Sequence, residues 1–220
     1  MHAKPKPYKG APMEGLVARW YARNTARSLP AFAADARRVA ALLPPHARIL
    51  EVAPGPGYFV LELARLGPYR ITGLDISRTF VEIAARHAAQ AGISAEFCQG
   101  SASAMPFPAG QFDFLFRRAA FKNFSQPVEA LREMHRVLKP GGRAWIVDLR
   151  RDAPLHAVNQ EVAGMRLGAV NAWFTRLAFR YSLLKRAYTK PEFERLAAQT
   201  PFRSAAIAED GIGMNIWLQK

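Results

Sequence analysis

The chain has 220 residues, with Lys+Arg 31 against Asp+Glu 17 for a formal net charge of +14. That length suits one large domain, which can bury roughly 70–75% of its unfolded surface without disulfides or metal. A hydrophobic content of 50% argues against disorder, and the lone Cys98 excludes an internal disulfide or a Cys-rich zinc site.

The start of the chain is Lys/Pro-rich, has no apolar signal-like run, and reads as an extended arm. No uncharged apolar run reaches the roughly 18 residues of a membrane helix. With the single cysteine, these features set the expectation of a cytoplasmic protein. Leu16, Val17, Trp20 and Tyr21 recur at helical spacing, predicting a helix over 13–24. A second helix is expected over 32–43, stopped by Pro44-Pro45.

An alternation of strands and helices follows. Strands are expected at 48–52, 70–75, 95–98, 112–116 and 144–148. Helices are expected between them at 58–66, 79–91 and 127–138, the last stopped by Lys139-Pro140-Gly141-Gly142. Residues 155–187 read as a helical insert broken near Gly164 or Gly168, and 191–199 as another helix. Segments 203–208 and 212–218 then read as an antiparallel hairpin. The expected fold is α/β: a Rossmann-like three-layer sandwich around a mostly parallel seven-stranded sheet, with the hairpin at one edge and helical lid elements. As one domain it divides into an arm and helices (1–44), a cofactor-binding core (45–150), a lid insert (151–190) and a C-terminal helix and hairpin (191–220).

The most informative segment is Glu51-Val52-Ala53-Pro54-Gly55-Pro56-Gly57, where a strand enters a glycine turn before a helix. Small residues there let backbone approach a ligand. Asp75 ends the second strand twenty positions after Gly55, where an acid can accept hydrogen bonds from ribose hydroxyls. A nicotinamide or flavin fingerprint would want a third glycine where Val60 stands. Glu51 beside the loop suits a ligand with a positively charged end.

Four blocks in order resemble the class I S-adenosylmethionine-dependent methyltransferases, in particular their small-molecule group. They are Glu51 to Gly57, Gly73-Leu74-Asp75-Ile76-Ser77, Gln99 to Pro108 with Phe112-Asp113-Phe114, and Leu131 to Gly142. The resemblance is close over residues 45–150 and loose elsewhere. It implies S-adenosyl-L-methionine as cofactor, with S-adenosyl-L-homocysteine as product. Glu51 would face the amino end of the methionine moiety, and Ala53, Gly55 and Gly57 would give backbone contact. Asp75 would hold the ribose, Ile76 would pack on adenine, and Ser101 and Ala102 would edge it. Arg117, expected just past the fourth strand, would border the methyl-bearing end. Three departures stand out: Ala53 replaces a frequent glycine, Pro54 and Pro56 remove two N–H donors, and Ser101 replaces a usual acid.

Methyl transfer from a sulfonium is an in-line displacement, so alignment and water exclusion matter more than a base. His156 is the base candidate, and an already acidic acceptor needs none. Tyr21, Phe121, Trp173, Arg176 and Arg180 are the candidate acceptor contacts. Seven of the net positive charges fall in residues 1–48 and six in 150–190, the two segments that roof the acceptor in this family. The expected partner is a small molecule, aromatic or amphiphilic, with no specific nucleic acid and no metal. Peripheral contact with an anionic membrane stays open, as does monomer or homodimer. The net charge keeps two rivals open: a nucleic-acid methyltransferase, and a membrane-surface or cofactor-binding protein with weak catalysis.

Overall fold

The strands Arg48–Val52 (β1) and Arg70–Asp75 (β2) are buried at every residue but the first, the signature of a sheet covered on both faces. The structure, a computed structural model, describes residues 8–9, 13–165 and 167–220, apart from the side chain of Arg27. The rest of the Lys/Pro-rich start, and Arg166 of the insert, lie outside the described residues. The remaining strands are Glu96–Gln99 (β3), Phe112–Arg118 (β4), Leu138–Leu149 (β5), Ser204–Asp210 (β6) and Gly213–Gln219 (β7). They form one seven-stranded sheet in the order β3-β2-β1-β4-β5-β7-β6. β7 runs antiparallel to both β5 and β6, and the other pairs are parallel. The expected α/β sandwich with an edge hairpin is therefore the fold observed.

Strand alternation divides the core. Leu50, Val52, Leu115 and Ile146 face the helices Pro127–Val137 (α5) and Lys190–Ala197 (α8), where Leu131, Met134 and Phe193 meet them. Ile49, Phe114, Phe116 and Trp145 face Leu29–Ala40 (α2) and Tyr58–Ala64 (α3), meeting Val39 and Phe59. Trp145 stacks on Trp217 at 5.0 Å, with the Arg38 guanidinium over both rings. Two smaller clusters lie outside the sheet. One joins Gly15–Thr25 (α1) to Arg78–Gln90 (α4) through Ala18, Ala22, Phe80 and Ile83. The other joins Leu155–Gly164 (α6) to the turns after Ala169–Ala178 (α7) through Val158, Val162, Phe179 and Leu184. The insert breaks between Gly164 and Gly168 as its glycines predict, and α7 runs on into a π-helical turn, Phe179–Leu183.

Two boundaries differ from expectation. β4 continues through Arg117 and Arg118, because β5 keeps pairing alongside as Arg117↔Ile146 and Arg118↔Val147. β5 begins at Leu138, so Lys139-Pro140-Gly141-Gly142 is a bulge within the strand rather than a stop before it: Phe112 pairs with Leu138, and Phe114 next pairs with Arg143. No described helix is long and apolar enough to cross a membrane.

Gly142 makes the bulge possible. A Cβ there would lie 2.9 Å from the Lys139 carbonyl oxygen and 3.2 Å from that of Asp113. Gly142→Ala is expected to destabilise by about 1–3 kcal/mol through overpacking. A thermal melt unchanged from wild type would show that the bulge relaxes freely.

Candidate functional site

The buried charges of this protein collect at the carboxyl ends of the strands. Glu51 ends near the tip of β1, Asp75 ends β2, Arg117 lies near the end of β4, and Asp148 near the end of β5, all at most 5% exposed. In open α/β sheets this edge is where ligands bind, at the point where strand order reverses. Here the reversal lies between β1 and β4.

The loop after β1 is pinned to β2. The Ala53 N–H donates to the Leu74 carbonyl at 2.7 Å, and the Gly55 N–H donates to Asp75 Oδ2 at 3.0 Å. Asp75 Oδ1 accepts from the Ser77 N–H at 2.9 Å. Ala53, Gly55 and Gly57 all have positive φ (55°, 55° and 80°). At Gly57 a Cβ would also lie 2.9 Å from the Ala84 Cβ, so glycine alone lets the loop close on α4. His87 Nδ1 lies 2.9 Å from the Pro56 carbonyl oxygen, and its ring stacks on Tyr58.

Burial pushes the Asp75 carboxyl up to about 6, against the pull of the Ser77 and Gly55 amides. Glu51 is pushed up to about 8, again chiefly by burial, with Arg117 opposing. Its Oε2 is buried and has no hydrogen-bond partner among the described residues. Asp148 is fully engaged: it accepts from Lys122 Nζ at 3.0 Å, from the Lys122 N–H at 3.0 Å and from the Leu149 N–H at 2.8 Å.

The other residues singled out by sequence take varied positions. Ile76 is half-buried. Ser101 Oγ lies 2.9 Å from Ser103 Oγ and accepts from the Ser103 N–H, so its hydroxyl is turned into its own turn. Ala102 packs on the core. Tyr21 lies edge-on to Phe80 and is 37% exposed. Phe121, expected against the acceptor, is instead wholly enclosed by Phe124, Tyr188 and Phe193. Arg117, expected in a loop, is a strand residue with no exposed surface. Its neighbour Arg118 is paired with Asp35 of α2. His156 is exposed on the first turn of α6, with no side-chain hydrogen bond to any described residue. Trp173 is 54% exposed on α7, which has no buried residue. Arg176 has a buried Nε with no hydrogen-bond partner among the described residues, and Arg180 lies over the Tyr181 ring.

Two features escaped sequence reading. Lys122 and Asp148 form a buried ion pair, foreshadowed only by opposite charges near neighbouring strand ends. Tyr8, in the N-terminal arm, bridges antiparallel to Phe124, and the Lys9 N–H donates to the Asn123 carbonyl. Nothing in the local sequence signals that return across the sheet edge.

Residues 50–146 match the family model described as a methyltransferase domain. A demethylmenaquinone methyltransferase of Thermus thermophilus is 37% identical over 102 residues, 46% of each chain. An uncharacterized methyltransferase of Bacillus subtilis is 36% identical over 104 residues, covering 46% of this chain and 40% of its own. The chain thus spans about half the length of the curated relatives it matches. Among solved structures, a SAM-dependent methyltransferase from Aquifex aeolicus superposes with a TM-score of 0.66 at 18% identity, over 84% of this chain and 89% of its own. The plantazolicin methyltransferase BamL, solved with a desmethyl analogue and SAH, gives 0.68 at 16%, over 92% and 89%. These two likenesses show the fold. Residues 50–146, which build this edge, are thus similar to a methyltransferase domain, and the resemblance implies S-adenosylmethionine as cofactor.

The site fits that cofactor. The loop has a Cβ-free position at Gly57, Asp75 has lone pairs left for ribose hydroxyls, and Glu51 has a buried oxygen without a partner for the ammonium end.

Asp75→Ala is expected to weaken S-adenosylhomocysteine binding by about 1–3 kcal/mol, measured by calorimetry, since it removes charged hydrogen bonds and frees the Gly55 amide. Undiminished affinity would remove Asp75 from the site. The raised Glu51 carboxyl also predicts a pH effect. Stabilisation from its proton is full below its ordinary value of 4.5 and is lost as pH rises through about 8. Melts of the free protein should therefore fall between pH 6 and pH 8.5, and fall less in Glu51→Gln. Parallel curves for the two proteins would contradict this.

Proposed function

We propose that the protein transfers the methyl group of S-adenosylmethionine to a small aromatic or amphiphilic acceptor carrying an acidic group. The cofactor supplies an electrophilic methyl on a sulfonium; the chain's part is to orient the partners and keep water out. Glu51, the 53–57 loop, Asp75 and Ile76 would hold the donor. The observation that carries the acceptor reading is a pair of exposed apolar helix faces, on α1 and α7. Leu16, Val17 and Trp20 of α1 are 79%, 52% and 65% exposed, and Val170, Trp173 and Phe174 of α7 are 69%, 54% and 59% exposed. Aromatic faces of this kind cover apolar ligands.

Basic residues accompany them. An open groove of about 500 Å³ is lined by Lys9, Arg151, Lys185, Arg186 and Arg195, with Glu192 the one acid. It would draw an anionic group on the acceptor toward the edge. The relatives named for demethylmenaquinone support an aromatic acceptor with an apolar tail. An acidic acceptor needs no base, and His156 on its exposed turn remains only a candidate one.

α1 and α7 differ as covers. α1 is fastened: Tyr58 donates to the Ala22 carbonyl, and Glu14 accepts from the Arg78 and Thr79 amides at the start of α4. α7 is held through the turns that follow it, so it is the part that would move as a lid. The charge of +14 favours, as a second reading, contact with anionic lipid or nucleic acid.

The test is methyl transfer from labelled donor to a panel of aromatic acids, quinols and phenols, with RNA and anionic vesicles alongside. Turnover is expected on a lipophilic aromatic acceptor, and Trp173→Ala with Phe174→Ala is expected to raise its KM about 10-fold or more while leaving donor affinity unchanged. Methylation of RNA alone would overturn the small-molecule reading.

A further inference from the structure

Arg117 is a charged group at the sheet edge that the donor site described above does not absorb and that no described acid pairs, unlike Asp148 with its partner Lys122. It has no exposed surface. Nη1 donates to the Val52 carbonyl at 3.1 Å and to the Arg118 carbonyl at 2.9 Å, and the guanidinium lies 5.1 Å from the centre of the Phe124 ring. These contacts fix the plane of the guanidinium. They leave Nε and Nη2 buried and without a hydrogen-bond partner among the described residues.

Those two nitrogens form one edge of the guanidinium, the side-on fork that matches the two oxygens of a carboxylate. No described acid fills it. Asp75, Asp148 and Glu51 act on Arg117 through space, yet none forms an ion pair with it within 4.0 Å. Asp75 is taken by two amides, and Asp148 by Lys122 and two amides. An unpaired, fully buried cation is costly, and it would be costlier beside a sulfonium unless an anion lay against it.

We propose that the Nε/Nη2 edge of Arg117 is a carboxylate-type oxyanion site at the crevice between β1 and β4. It rests on the reading of this edge as the donor site. The oxyanion comes either from the amino-acid end of the cofactor or from the acceptor. In the first case Arg117 and the unpaired Oε2 of Glu51 receive the two opposite charges of one zwitterion. In the second, Arg117 selects anionic acceptors and holds their oxygen beside the donor. Tyr8 bridges antiparallel to Phe124, whose ring lies 5.1 Å from the guanidinium.

Calorimetry separates the two sources. S-adenosylhomocysteine is compared with 5′-methylthioadenosine, which keeps the nucleoside and thioether but lacks the amino acid. Benzoate is then titrated into the S-adenosylhomocysteine complex as an anionic acceptor probe. Wild-type binding of the nucleosides alone tests the donor-site reading, independently of Arg117. If the cofactor supplies the carboxylate, Arg117→Met loses about 10- to 100-fold for S-adenosylhomocysteine and nothing for 5′-methylthioadenosine. If the acceptor supplies it, both nucleosides bind Arg117→Met as they bind wild type, and benzoate binding is lost. Arg117→Lys keeps the charge without the fork and is expected to give a smaller loss in the same column; it also serves if Arg117→Met does not fold. Equal losses for both nucleosides, or wild-type affinity for all three probes in both variants, would overturn the proposal.

Discussion

The position of β1 between β2 and β4 governs this structure. From β1 the chain builds outward through β2 to β3, then crosses back to lay β4 and β5 on the other side. Connections therefore leave the carboxyl ends of β1 and β4 in opposite directions, opening a crevice between them. The backbone at such a crevice has lost its strand neighbours, yet its polar groups still need partners. Asp75 supplies them for the loop after β1, and the Leu74 carbonyl takes the Ala53 amide. The positive φ of Ala53, Gly55 and Gly57 follows from holding that short loop flat against β2. At Ala53 the left-handed backbone costs on the order of 1 kcal/mol, a strain the two hydrogen bonds fix in place.

The electrostatics of the edge divide into closed and open charges. Lys122 with Asp148, and Asp75 with two amides, are satisfied within the protein. Glu51 and Arg117 are not, and they sit on the two strands that flank the crevice. Their backbones pair in neighbouring registers, Glu51 beside Phe116, but alternation sends the two side chains to opposite faces of the sheet. They therefore cannot neutralise one another by direct contact. Glu51 responds by holding its proton and so losing its charge at neutral pH, a relief closed to the guanidinium, which stays protonated and charged. The protein alone thus has a neutralised acid and an uncompensated base, and a ligand carrying both signs would relieve both.

Much of this was legible in the residues. Apolar runs such as Ile49-Leu50 and Ile71 to Leu74 can only be covered strands, and Gly55, Gly57 and Asp75 carry their own spacing. What failed was the reading of charge. Arg117 is expected just past the fourth strand because a pair of arginines rarely enters a buried strand; β5 carries both Arg117 and Arg118 into the sheet. Phe121 is expected against the acceptor, whereas α8 folds back from about seventy residues on to bury it against Phe193. Lys139-Pro140-Gly141-Gly142 has every mark of a turn, and is one locally, but the pairing resumes on both sides of it. Each miss depended on a partner distant in sequence, which local periodicity does not contain.

The family match ends at residue 146, within β5, and the described chain changes character soon after. Up to that point nearly every helix buries a stripe against the sheet. Beyond it, α7 has no fully buried residue, packs on the α6 cluster only through the half-buried Ala172, and exposes Trp173 and Phe174. Ten residues are too few for a helix to be stable in water by itself. Its order rests on Phe179 and Leu184 packing against α6, through a π-helical turn of the kind found at functional sites. An apolar face so weakly supported is a poor structural element and a good binding one: whatever covers it stabilises it, and little is lost when the cover leaves. The edge built by the matched residues is thus fixed by hydrogen bonds within the sheet and its loops. Beyond the matched residues, α7 keeps its apolar surface exposed, so that surface can change in sequence without disturbing the edge where β1 and β4 part.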